Sequence, residues 1–170
     1  ELFHKTRQDV ITTPRDQRQL TRDAASMLGL LRQERIPEEP AHDWDIKLVR
    51  GGLMEGEFLL LMMVLHFGPE HPQLAQADYL ELPRILTRLD PRKLGPMQSA
   101  LSSLRNMQFR IRLHGDDHVH SLGELSDWRR QRDAATTTIK TLIDEFILGT
   151  HDIAGMDFVE YREEPVRFKP

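Results

Sequence analysis

The sequence contains no cysteine in its 170 residues, which excludes disulfides and thiolate metal sites. Neither sign of charge dominates. The balance is 23 basic against 27 acidic residues, a net charge of −4, and this argues against a general nucleic-acid binder. No apolar run approaches the roughly 20 residues that span a bilayer, since the longest, Phe58 to Leu65, has only eight. No partner membrane is therefore expected. There is no internal repeat, no low-complexity segment, no Gly-x-Ser-x-Gly and no cysteine nucleophile. No signal-like segment opens the sequence, and a cytoplasmic location is the plainer expectation. The first residue is Glu1 rather than methionine, so we expect a piece of a longer chain or a processed one.

What remains is globular in composition, 39% hydrophobic and 29% charged, and long enough to bury a core. The chain is organised around residues 45–67, DIKLVRGGLMEGEFLLLMMVLHF. At Gly51-Gly52 the apolar pattern changes from roughly alternating to continuous, which marks an element boundary. Residues 53–67 fit a helix about 22 Å long. It is apolar nearly all the way round from Phe58 to Leu65, so other helices should wrap it. The fold expected is all-α, an up-and-down helical bundle around this buried central helix, with an extended C-terminal tail.

Three segments follow from the punctuation: a lead-in at 1–13, a bundle domain at 14–149 and a tail at 150–170. In the lead-in, a short helix or a frayed start is expected. The first long helix should run over 14–34, burying Leu20, Ala24, Met27, Leu28 and Leu31, with Arg15, Arg18, Arg22, Arg32 and Arg35 on its wet side. Two prolines make 36–43 a loop, and Gly68-Pro69 and His71-Pro72 stop the central helix. A shorter helix is predicted near 78–89, with Pro83 in its first turn. The next is capped by Asp90-Pro91, with its clean start delayed to Pro96. After a polar loop at 114–124 come a short helix over 122–130 and a last long one over 133–148, capped by Gly149. In the tail, MDFVEY at 156–161 reads as a strand or as an extended arm that docks on the bundle or on a neighbour.

Several groupings have chemical interest. Gly51-Gly52 before a helix allows backbone amides to approach a phosphate, with Lys47 and Arg50 beside them; a tight turn that needs no side chains is the plainer account of the pair. Glu55 and Glu57 stand in the first turn, where carboxylates suit the dipole and where they face a metal, a basic side chain or a partner. Asp43-Trp44-Asp45 has the spacing of a cation-holding pair, but no phosphate-binding Gly-Ser turn precedes it and no third carboxylate strand is visible. His114, Asp116, Asp117, His118 and His120 match no standard metal site and read as a solvated loop. His42-Asp43 and His151-Asp152 lack flanking ligands. No catalytic residue and no metal ligand is assigned. The residues by themselves indicate a bundle with an anion- or partner-facing turn.

The segment DIKLVRGGLMEGEF resembles the motif Asp-Ile/Leu-Lys-x-x-x-Gly-Gly-Leu/Ile-x-Asp/Glu-Ile-Glu-Phe of the glutamate–ammonia ligase (glutamine synthetase) adenylyltransferase family. The matching positions are Asp45, Lys47, Gly51, Gly52, Leu53, Glu55, Glu57 and Phe58. His71-Pro72-Gln73-Leu74 and the segment 104–122 are similar to further parts of that family, and the resemblance covers about 14–148. One departure is Gly56, where the family has a branched apolar residue. The resemblance implies a helical, non-catalytic domain that follows a nucleotidyltransferase domain and supports AMP transfer to or from glutamine synthetase. ATP and magnesium would belong to the parent enzyme, and no cofactor to this chain. The implied partners are its own nucleotidyltransferase domain and glutamine synthetase, with the PII signalling protein as a further candidate and no nucleic acid. Lys47, Arg50, Gly51, Gly52, Glu55 and Glu57 are the expected nucleotide or domain-junction residues. The rival expectation is a stand-alone helical interaction module without enzymatic activity. A homo-oligomer is a further expectation, because a second copy can cover exposed sides of so apolar a helix.

Overall fold

The computed structural model describes residues 2–37, 45–114 and 122–149. The described residues are all-α, and no strand occurs among them. The order is α1 (Leu2–Thr12), α2 (Gln17–Arg35), α3 (Leu53–Phe67), a 3₁₀ turn (Pro72–Ala75), α4 (Leu82–Leu89), α5 (Pro91–His114) and α6 (Leu122–Ile143), which ends in a π-helical turn (Asp144–Leu148). The extended tail at 150–170, the groupings at 42–44 and the His/Asp loop at 115–121 lie outside the described residues.

α3 is the centre, touched by α1, α2, α4, α5 and α6. Its limits are those the glycines and prolines predict. Leu59, Leu60, Met62, Met63 and Val64 are buried, but Leu61 is half exposed, so the wrapping is open on one side. α1 joins the bundle through Ile11, which lies in the core, and the Arg7 guanidinium donates to the Ala77 carbonyl at 2.6 Å.

Elsewhere the elements shift in ways that local chemistry explains. α2 starts at Gln17 rather than Pro14, because the Asp16 carboxylate caps the Gln19 amide at 2.9 Å. Its buried face is Thr21, Ala24 and Leu28, and Met27 is exposed, contrary to the sequence expectation. α5 starts at Pro91, not Pro96. Asp90 accepts from the Lys93 amide at 3.1 Å, and Pro96 is carried inside the helix on an exposed side. The two helices expected over 122–148 are one continuous helix. No glycine or proline interrupts 126–148, and Trp128, Ala135, Ile139 and Leu142 form one buried face.

At Gly56, α3 packs closely against both α5 and α6. A Cβ built there would lie 2.8 Å from Leu101 Cδ2 on α5 and 3.4 Å from Ile139 Cδ1 on α6. The space a branched residue would fill is taken by Leu101 and Ile139, both fully buried. Glycine in a helix interior costs roughly 1 kcal/mol against alanine, and this packing offsets it. Gly56→Ile should therefore destabilise by about 1–3 kcal/mol through overpacking, and Leu101→Ala by about 2–5 kcal/mol through a cavity. Chemical denaturation of the double variant should give a loss smaller than the sum by about 1 kcal/mol or more. Simple additivity would show that the two sites do not share this space.

Candidate functional site: the turn before the central helix

Residues 45–52 fold into a turn that satisfies itself. The Asp45 carboxylate accepts from the Lys47 and Leu48 amides at 3.2 and 3.3 Å. The Gly52 amide donates to the Val49 carbonyl at 2.8 Å, Leu53 to Ile46 at 2.9 Å and Met54 to Lys47 at 3.3 Å. Ile46 and Val49 are buried and pin the turn to the core. Gly51 has φ +74°, a region that L side chains rarely adopt, and Gly52 has no room for a side chain against Ile46 and Val49.

Glu55 is the hub. Its side chain is fully buried. Oε1 accepts from Arg32 Nε at 2.6 Å, and Oε2 accepts from the Gly51 amide at 2.7 Å. Arg50 Nε stands 3.5 Å from the same Oε1. A carboxylate at the third helical position commonly reaches back to the capping residue's amide; here it reaches one residue further. Of the three choices the sequence left open, Glu55 faces basic side chains. This arrangement also bears on the phosphate reading of Gly51-Gly52. The amides of Gly51, Gly52, Leu53 and Met54 all have acceptors already. An anion placed there would find none of these donors free and would meet the Glu55 carboxylate.

Glu57, two residues further along α3, belongs to a second cluster on another side of the helix. It is partly exposed and pairs with Arg105 of α5 at 3.7 Å, and Arg105 stacks over the Tyr79 ring at 5.2 Å from its centroid. Burial pushes the Tyr79 phenol above its usual range, and the Glu57 charge pushes the same way, against Arg105. Lys47 and Arg50 are exposed. The six sequence-selected residues therefore split. Gly51, Gly52 and Glu55 form a buried knot, while Lys47, Arg50 and Glu57 face outward. Two participants were missed, Arg32 and Arg105. Arg32 was assigned to the wet side of α2, yet it follows Thr21, Ala24 and Leu28 at spacings of three and four, so the buried face predicts its direction. Arg105 follows Leu101 by four in the same way.

Among the described residues no group of three or more His, Asp or Glu could hold a metal ion, and no helix is long and apolar enough to cross a membrane.

Comparison with known proteins adds a distant and partial likeness. No family model matches the chain. It is 25% identical over 127 residues to the bifunctional glutamine synthetase adenylyltransferase/adenylyl-removing enzyme of Neisseria meningitidis serogroup A, covering 72% of this chain and 14% of that protein. The enzyme of the same description from Nitrosomonas europaea is 29% identical over 119 residues, covering 68% and 13%. That from Brucella suis biovar 1 is 42% identical over a shorter 52 residues, covering 31% and 5%. The chain spans about one seventh of the length of the curated relatives it matches.

Proposed function

We propose that the chain is a helical, non-catalytic domain of a glutamine synthetase adenylyltransferase/adenylyl-removing type of enzyme, acting with a nucleotidyltransferase domain. The observation that carries this reading is the likeness to such enzymes over 119 to 127 residues. The geometry adds support. The turn 45–52 is fixed from beneath by Glu55, Arg32 and the glycines, and it holds Lys47 and Arg50 toward the outside. Glu57 and Leu61 continue an outward side along α3. That side is the proposed junction with the nucleotidyltransferase domain, and the relatives' greater length leaves ample chain to supply such a domain. Glutamine synthetase is the proposed partner of the whole enzyme, with the PII protein as its proposed effector.

ATP and magnesium would act in the neighbouring domain. The residues here do not fit them: Glu55 is committed to Arg32 and Gly51, and Glu57 to Arg105.

The test is direct. With ATP, magnesium and glutamine synthetase, the chain by itself should transfer no AMP, and measured turnover would overturn the reading. Expressed with a nucleotidyltransferase domain from the same reading frame, Lys47→Glu should lower AMP transfer at least tenfold with the melting temperature unchanged. A reading frame without such a domain would leave the interaction-module alternative standing instead.

A further inference from the structure

An open groove of about 690 Å³ lies between the first turns of α5 and the second half of α6. Its cationic side is Arg92 and Lys93 on α5, Glu145 adds one carboxylate on the opposite wall, and its apolar surface comes from Leu142, Phe146 and Pro96. Two further features define what it can hold. Thr138 and Thr141 on its wall donate their hydroxyl protons to the Ala134 and Thr137 carbonyls at 3.0 Å each, so toward the groove they can present only oxygen lone pairs. Pro96 has no N–H to give the Arg92 carbonyl one helical turn back, which leaves that carbonyl without its usual helical donor. The groove therefore asks for N–H donors, apolar side chains and carboxylates together. A polypeptide in extended form, carrying acids among apolar residues, supplies all three.

A segment of that composition begins six residues beyond Phe146. The segment 152–164 carries Asp152, Asp157, Glu160, Glu163 and Glu164 against a single Arg162. Its apolar residues, among them Met156, Phe158 and Val159, are interleaved with these acids. Reach is sufficient: extended chain covers about 3.3 Å per residue, so ten residues past Gly149 reach about 33 Å. The helical stretch from Thr137 to Phe146 needs only about 14 Å at the α-helical rise. We propose that this groove is the seat of the chain's own residues 150–170, docked as an extended arm with its carboxylates on Arg92 and Lys93. The proposal is independent of the AMP-transfer reading.

The absence of cysteine makes the test clean. In the full chain, Thr137→Cys with Val159→Cys should form a disulfide within one chain under mild oxidation, several-fold faster than Gln8→Cys with Val159→Cys. Adding Arg92→Glu and Lys93→Glu should slow that cross-link several-fold while the circular-dichroism melt stays cooperative. Equal rates for the two cysteine pairs would overturn the proposal. So would cross-links found only between chains, which would put a second copy in the groove, or a rate indifferent to the charge reversals.

Discussion

Glu55→Ala should lower the unfolding midpoint by about 6–15 °C, the largest effect expected of any single side-chain truncation in the turn. Its carboxylate is fully buried and joins two elements to α3: α2 through Arg32 at 2.6 Å, and the turn through the Gly51 amide at 2.7 Å and Arg50 at 3.5 Å. Removing it strands two groups at once. Arg32 is left as a largely buried cation, and breaking such a pair costs about 3–5 kcal/mol. The partial exposure of Arg32 moves the expected loss to the lower part of that range. The Gly51 amide also loses its acceptor, a penalty of about 1–3 kcal/mol. The two losses overlap, and a total of about 3–4 kcal/mol corresponds to the stated shift at about 2–4 °C per kcal/mol for a chain of this size.

Companion variants separate the contributions. Glu55→Gln keeps an acceptor for Gly51 but loses the charge, and should fall between wild type and alanine. Pairing it with Arg32→Met removes the stranded cation and should recover stability to within about 1–2 kcal/mol of wild type, since buried ion pairs are often replaceable by apolar groups. Urea denaturation of the four proteins measures all of this. A loss below about 1 kcal/mol for Glu55→Ala would mean that the carboxylate is not the tie between α2 and the turn.

How much of this was legible in the sequence depended on punctuation. α3 was readable to its limits because Gly51-Gly52 and Gly68-Pro69 bracket the segment that carries the longest apolar run, Phe58 to Leu65. α5 and α6 were misjudged for opposite reasons. Pro96 looked like a boundary, yet its ring sits on an exposed side and the helix passes through it. Residues 131–132 looked like a gap only because they are polar, and polarity alone does not stop a helix. The buried knot was half legible. Gly51, Gly52 and Glu55 are local in sequence, but Arg32 is 23 residues before Glu55 and joins it only through the packing of α2 on α3. The meaning of Gly56 was not legible at all, because it depends on Leu101 and Ile139 from two later helices.

Gly51→Ala tests the same turn from the backbone side and should cost about 2–5 kcal/mol. Two penalties combine. At φ +74° an L residue sits in the left-handed region, at roughly 1–2 kcal/mol. The added methyl would also press far inside contact distance of the Thr136 carbonyl oxygen, in the middle of α6, and stand 2.9 Å from Lys140 Cγ. Lys140 is exposed and can swing aside, but a helix carbonyl cannot move without α6 moving. Displacing buried Thr136, Ile139 and Ile143 to make room is an overpacking cost of about 1–3 kcal/mol. Two variants tell the penalties apart. Gly51→Asn tolerates the dihedral better but carries the same Cβ, so it should be nearly as damaging as alanine if contact dominates. Lys140→Ala added to Gly51→Ala should rescue little, because the carbonyl remains. Substantial rescue by Lys140→Ala, or a loss under about 1 kcal/mol for Gly51→Ala, would show that the turn does not bear on α6. With the predicted result, the place of Lys47 and Arg50 on the outer surface is set by α6 as much as by α3, and changes in α6 should reach the proposed junction through this one contact.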